Sequence, residues 1–272
     1  MKTNASSNRG FGLVELMVSI ASGMVVSGAA VSFLVASMTS NTNYVRAARF
    51  TQDLRNNMDY VTSELRRAGY DENAMHYIAL NASSSATSPF SPMKIVRGNT
   101  DSSCVLYAYD SKTAKTTTST GPGYLDVASG EIHGLRRVSR TVNGKAIGVI
   151  EVAQSSASAA TLDCDGDGPD YTTYPAACNV ASGWCALSDP QQLDVTSFRI
   201  VDNSIWNPPT AASFGSKVRD LGVTLQGVLI GKNEYSRSLQ TNVRVRAECL
   251  RPIAAVDPPD TTGMLCDTAP GT

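Results

Sequence analysis

Arg9–Val35 reads RGFGLVELMVSIASGMVVSGAAVSFLV, an apolar run carrying one carboxylate, Glu15, near its front edge. From Phe11 to Met38 no other residue is formally charged. As a helix rising about 1.5 Å per residue, this length exceeds the roughly 30 Å hydrocarbon layer of a bilayer. Lys2 and Arg9 precede the run, which by the positive-inside rule keeps the N-terminus in the cytoplasm and sends the remainder outward. All six cysteines, Cys104, Cys164, Cys178, Cys185, Cys249 and Cys266, lie downstream and therefore reach an oxidising compartment where disulfides form.

Three readings suit such a run. A secretory signal peptide would use Val35-Ala36-Ser37 as its small-residue cleavage site, but the apolar run is longer than the usual core of such signals. A plain signal anchor would hold an enzyme outside the membrane. Both leave Glu15 without a reason, since a carboxylate in lipid either neutralises or finds a cation. The third reading starts at the Gly10-Phe11 junction. Arg9-Gly10-Phe11-Gly12-Leu13-Val14-Glu15-Leu16-Met17 resembles the type III signal of the type IV pilin family.

That resemblance implies a prepilin peptidase that cuts between Gly10 and Phe11 and methylates the new N-terminal amine. Residues 1–10 are then a cytoplasmic leader, 11–38 the membrane half of a helix, 39–69 its amphipathic periplasmic half and 70–272 a β-rich head. It also supplies a cation for Glu15: the α-amino group of Phe11 on a neighbouring subunit, with the acid setting the stagger between helices. Small residues recur every fourth position at Ser19, Gly23 and Ser27 and at Gly28, Ser32 and Ala36, where helices can approach closely. Ser32 stands where major pilins often carry proline, which points away from the abundant shaft subunit.

Further along, Ala47, Phe50, Leu54, Met58, Val61, Leu65 and Ala68 step by three or four, predicting one helix from Phe11 to Ala68 stopped at Gly69. Two helices broken near 37–42 fit the same pattern. Beyond Tyr70 come strand-like runs at Lys94–Val96, Cys104–Tyr109, Gly134–Val138, Ala146–Val152, Leu193–Val201, Val218–Ile230 and Leu239–Cys249, with Asn143-Gly144 suited to a hairpin turn. Ser/Thr/Ala-rich pieces at Asn81–Ser88, Ser111–Thr120 and Gln154–Ala160 read as loops. The fold class expected is α+β, a long N-terminal helix packed on an antiparallel sheet as in pilins.

Asp194-Val195-Thr196-Ser197-Phe198-Arg199-Ile200, Val218–Leu225 and Thr241–Arg246 are similar to the closing portion of PilW-type minor pilins. The implied role is initiation or assembly of type IV pili in a tip or priming complex. The implied partners are other minor pilins and the major pilin, with a large tip adhesin as a further neighbour. The protein would sit in the inner membrane before assembly and on the extracellular pilus afterwards. Pseudopilins of type II secretion share leader and fold and stay open as the alternative, as does a tip-displayed binding or adhesion module.

The cysteine pairing stays open too, with Cys249–Cys266 preferred because it would tie down a Pro-rich tail. A zinc site competes, with no C-x-x-C and only His76 and His133 to assist. Asp163, Asp165, Asp167 and Asp170 crowd around Gly166 and Gly168, a D-x-D-x-D-G arrangement that suits Ca²⁺. Tyr174 replaces the bidentate Glu of an EF-hand, so the choice lies between a looser calcium loop and a solvated Asp/Gly turn.

With a net charge of −1, the chain has no basic excess for nucleic acid, and Arg136, Arg137 and Arg140 read as a solvated strand face. No H-E-x-x-H, G-x-S-x-G or phosphate-binding glycine loop occurs, so no enzyme and no required cofactor is expected. Trp184 and Trp206 read as half-buried packing residues.

Overall fold

In the computed structural model a single helix, α1, runs Leu13–Arg67 without a break. Residues 12–74, 87–111, 124–173, 175–208, 214–251 and 264–271 are described. Gly10, Phe11, His76, Tyr174 and most of the loops read at Asn81–Ser88 and Ser111–Thr120 lie outside them. The chain divides into two units, Met1–Arg49 and Phe50–Thr272. In the first, the described residues are almost all exposed and helical. The two-helix alternative is set aside, because no proline or glycine falls between Met38 and Ala68 to open the hydrogen-bond ladder.

In the second unit the rear of α1 buries Phe50, Leu54, Met58, Val61 and Leu65, the predicted stripe. The helix stops at Gly69, whose φ of 77° suits a residue without Cβ. The stop is fastened to the sheet by Gly69 N–H donating to Ala108 O at 2.7 Å and Asp110 N–H donating to Tyr70 O at 2.9 Å.

Among the described residues eleven strands follow in three antiparallel sheets. The first holds β1 (Met93–Val96), β2 (Cys104–Ala108), β3 (Ile132–Val142), β4 (Lys145–Gln154) and β5 (Trp184–Ala186), in that spatial order. The second has β9 (Asp220–Leu229) between β10 (Lys232–Arg244) and β6 (Leu193–Asp202). The third has β8 (Gly215–Val218) between β11 (Cys249–Arg251) and β7 (Ile205–Asn207). The β3–β4 turn is Asn143-Gly144 as expected, both at positive φ (50° and 75°), the twist that keeps an antiparallel pair in register.

The core forms where α1 meets the first two sheets. Val105 and Tyr107 of β2 share a cluster with Phe50, Leu54, Val61 and Leu65 of α1 and with Val195, Phe198, Ile200, Val223, Leu225 and Val243 of the second sheet. The alternate residues of β2, Cys104, Leu106 and Ala108, enter a second cluster with Phe90, Ile132, Leu162 and Trp184. β2 is thus buried on both faces, and its sequence is a continuous apolar run rather than an alternation.

Two strand readings need correction. Val218–Ile230 is interrupted at Arg219, whose buried guanidinium turns inward to Ser91 O (2.9 Å) and to Cys266 O, separating β8 from β9. Leu239–Cys249 is the second half of a longer β10 plus a separate β11. The short β5 and β7, held by neighbours rather than by their own pattern, were not foreseen.

Candidate assembly site

The front of α1 is long and apolar enough to cross a membrane, and the window that meets this test has none of its residues buried. Leu13, Val14, Met17, Val18, Met24, Val25, Val26 and Phe33 are all more than 60 % exposed. Four of its hydroxyls bond to the helix's own backbone. Ser19 Oγ donates to Glu15 O (2.8 Å), Ser22 Oγ to Ser19 O (3.0 Å), Ser32 Oγ to Gly28 O (2.9 Å) and Thr39 Oγ1 to Val35 O (2.9 Å). Back-bonding of this kind lets a polar side chain lie in lipid at little cost. A Cβ added at Gly23 or Gly28 would meet nothing within 4 Å, so both glycines leave open backbone for a neighbouring helix. Glu15 is exposed, and among the described residues its carboxylate has no ion-pair or hydrogen-bond partner. Gly10 and Phe11, the processing residues read from the sequence, fall outside the described residues.

The acids of the head are placed differently. Glu151 is fully buried on β4, opposite Arg136 in the β3–β4 register. Arg136 donates to it through Nε (2.9 Å) and Nη2 (2.6 Å), Arg140 through Nε (2.9 Å), and the Tyr171 hydroxyl at 3.2 Å. Burial raises the Tyr171 phenol, with Glu151 adding to the effect, whereas the hydrogen bond to Glu151 raises Arg140. Arg136 also lies over the Trp184 ring, 3.9 Å from its centroid. The reading of Arg136, Arg137 and Arg140 as a solvated face is therefore overturned: Arg136 is wholly buried, and Arg137 donates to Val195 O at 2.6 Å. Trp184 is wholly buried as well, while Trp206 is half-buried.

The same guanidinium reaches the Asp-rich loop. Arg136 Nη1 donates to Cys164 O (2.9 Å) and Gly166 O (2.7 Å), Trp184 Nε1 to Asp163 O (3.0 Å), Ser182 Oγ to Asp167 O (2.5 Å) and Asn179 Nδ2 to Gly168 O (3.2 Å). A Cβ at Gly168 would run into Arg140 Nη2 and the Glu151 carboxylate, so the loop's glycine permits close approach to the arginine network. The four carboxylates do not converge. Asp165 pairs with Arg97 at 2.6 Å, Asp163 accepts from Asp165 N–H and Asp170 from Thr172 N–H, and no group of three metal-ligating side chains occurs among the described residues. The loop as folded does not fit a calcium ion.

A second buried acid, Glu64 on α1, accepts from the hydroxyls of Tyr107 and Tyr109 (3.2 Å each) and pairs with Arg67 at 3.1 Å. Burial, then the Glu64 charge, raises both phenols, Tyr107 well above its ordinary value. His133 stacks on Tyr109 with centroids 4.2 Å apart, and Arg67 lies 4.3 Å from the same ring. Burial, helped by Arg67, pulls the imidazole down to about 4, so it is neutral at pH 7. Its Nε2 is buried without a hydrogen-bond partner among the described residues.

The structure pairs Cys249 with Cys266, the preferred bridge, and joins Cys104 to Cys164 and Cys178 to Cys185, which the sequence had left open. With all six engaged, no cysteine is free for zinc.

The family model of prepilin peptidase-dependent protein B matches residues 43–245, about three quarters of the chain. The chain belongs to that family. As a prepilin peptidase-dependent protein B it is a pilin-like, type IV pilin-related protein, from a family of structural proteins rather than enzymes. No curated protein and no solved structure matches it. Membership fits a long apolar N-terminal helix joined to an α+β, disulfide-bonded head.

Glu64 and Glu151 were missed in the sequence, yet each left a signal. Glu64 stands three residues after Val61 and four before Ala68, on the apolar stripe. Glu151 interrupts the apolar run of β4 in a chain where three arginines lie on the facing strand.

Proposed function

We propose that this chain is a PilW-type minor pilin that helps initiate type IV pilus assembly, in a tip or priming complex with other minor pilins. One observation supports the reading above others: in a prepilin peptidase-dependent protein B, the apolar front of α1 carries a single acid that has no partner within the described chain. Cleavage between Gly10 and Phe11 frees an amine that is then methylated, and Glu15 pairs with that amine on a neighbouring subunit. A carboxylate that stays charged in lipid requires such a cation, and the pair fixes the axial stagger of adjacent helices. Before assembly the protein is held in the inner membrane with its head in the periplasm; afterwards it lies on the extracellular pilus, in contact with the major pilin or a tip adhesin.

Mass spectrometry of the native polypeptide is expected to find an N-methylated Phe11 at its start; any other N-terminus overturns the reading. Deletion separates the roles. Loss of surface pili supports initiation, loss of protein secretion with intact pili points to a pseudopilin, and intact pili that no longer adhere point to a binding module.

A further inference from the structure

Where α1 ends, the head opens a cavity of about 540 Å³, within the range of small-ligand pockets. Its walls include Tyr70, Tyr109, Ala247 and Leu250, and Arg66 and Arg246 line it as well. Tyr109 is a fixed wall, since its hydroxyl is held by Glu64, its ring stacks on His133 with centroids 4.2 Å apart and the Arg67 guanidinium carbon lies 4.3 Å from its centroid.

The charges around the cavity are unequally engaged. Asp71 is buried, accepting from Ser88 Oγ (2.5 Å) and Asn73 N–H (2.8 Å). Glu248 is turned to Arg244 at 3.9 Å, and Arg67 to Glu64. Arg66 and Arg246 make no ion pair among the described residues, and Arg246 N–H donates to Arg66 O at 3.4 Å, which sets the two residues side by side. The cavity is therefore lined by two arginines without an ion pair among the described residues, and Asp110 is the one lining acid for which no side-chain partner is seen there. The helix's last carbonyls do not oppose an anion here, because Arg66 O and Arg67 O already accept from Arg246 N–H and Tyr70 N–H.

We propose that this cavity is a binding site for a carboxylate carried on an apolar or aromatic body, its anion held by Arg66 and Arg246 and its body lying against Tyr70, Tyr109 and Leu250. Guanidiniums recognise carboxylates through paired N–H donors, and a mostly apolar wall selects the body attached. A small organic acid and the carboxyl terminus of a peptide share this chemistry. The inference is independent of whether the chain primes pili.

The test uses the full chain in a nonionic detergent, with 4-(trifluoromethyl)phenylacetate observed by fluorine NMR. The acid is expected to bind, with its uncharged amide and the corresponding benzylamine weaker by about tenfold or more. Arg66→Gln with Arg246→Gln, both at exposed positions, should bring the acid down to the level of the amide while the three disulfides and the circular dichroism stay unchanged. Leu250→Trp should weaken acid and amide alike by filling the cavity. A short peptide ending in Phe, compared with its C-terminal amide, identifies the source: competition by the free-carboxylate peptide assigns a chain end, and competition by the small acid alone assigns a metabolite-sized ligand. Equal binding of acid and amide, tighter binding of the amine, unchanged affinity in the double variant, or no binding at millimolar acid would each overturn the assignment.

Discussion

The front of α1 and the interior of the head both set a carboxylate among apolar residues, and they treat it in opposite ways. Glu151 and Glu64 are enclosed by donors from their own chain, two arginines and a phenol for one, two phenols and an arginine for the other. Glu15 has no such enclosure among the described residues, although lipid would penalise its charge as a protein interior does. An acid whose partners are built in belongs to folding. On the proposed reading, one whose partner is external belongs to association.

That contrast breaks most visibly at Glu15. Glu15→Leu should abolish incorporation into surface filaments while the chain still inserts into the membrane and forms its three disulfides, checked on sheared pili and on membrane fractions. If the variant assembles as well as the parent, the external partner does not exist.

Arg136→Met tests the opposite case. It strips Glu151 of its closest donor and leaves Cys164 O and Gly166 O without theirs, and breaking one side of a buried pair is expected to destabilise by about 3–5 kcal/mol. Urea unfolding of the detergent-solubilised chain, followed by Trp184 fluorescence, measures this. Removing both charges, as in Arg136→Met with Glu151→Gln, should recover part of the loss. A variant as stable as the parent would mean that the network is not enclosed.

His133 sharpens the comparison through pH. Its folded pKa, about 4, lies below the roughly 6.5 of an unfolded histidine, so the unfolded chain binds the extra proton between those values. The stabilisation is complete above about pH 6.5 and is lost as pH falls toward 4, to a maximum of about 3 kcal/mol. His133→Phe keeps a ring on Tyr109 that cannot be charged, so its acid limb should be the flatter one in urea titrations across that window. Parallel limbs would remove His133 from the account.

How much of this could be read from the chain follows from which interactions are local. α1, its stop at Gly69 and the Asn143-Gly144 hairpin were legible, because helical spacing, a positive-φ glycine and a tight turn depend on a few adjacent residues. The break at Arg219 was not, since its cause is a buried guanidinium whose acceptors, Ser91 O and Cys266 O, are distant in sequence. Arg136 failed in the same way: beside Arg137 and near Arg140 it reads as part of a solvated basic face, and only the facing Glu151 and the loop at Cys164–Gly166 bury it. The membrane-length half of α1 was the easiest to read, because its signal is an unbroken apolar run with one acid in it.

The bridges divide along similar lines. Cys104–Cys164 and Cys249–Cys266 are buried, whereas Cys178 is exposed and Cys185 half-exposed. Since exchange requires a thiolate to reach a sulfur, mild dithiothreitol should open Cys178–Cys185 first. Peptide mapping should then find label on those two thiols alone, with the head's circular dichroism unchanged. Simultaneous opening of all three would show that the head unfolds before any bridge is reached.

The smallest effect is expected from calcium, and its reason lies in which way the Asp163–Asp170 loop faces. Calcium gathers carbonyl as well as carboxylate oxygens. Here the carbonyls of Asp163, Cys164, Gly166, Asp167 and Gly168 already accept from Trp184, Arg136, Ser182 and Asn179, so a cationic guanidinium and neutral donors fill the role a metal would have. The carboxylates that remain are separate, with Asp165 on Arg97. Millimolar calcium should therefore leave the melting temperature unchanged against a chelator control. A rise abolished by Asp165→Ala and Asp167→Ala would mean that the loop can release Arg136 and turn its oxygens outward, and Arg136→Met should then strengthen calcium binding rather than leave it alone.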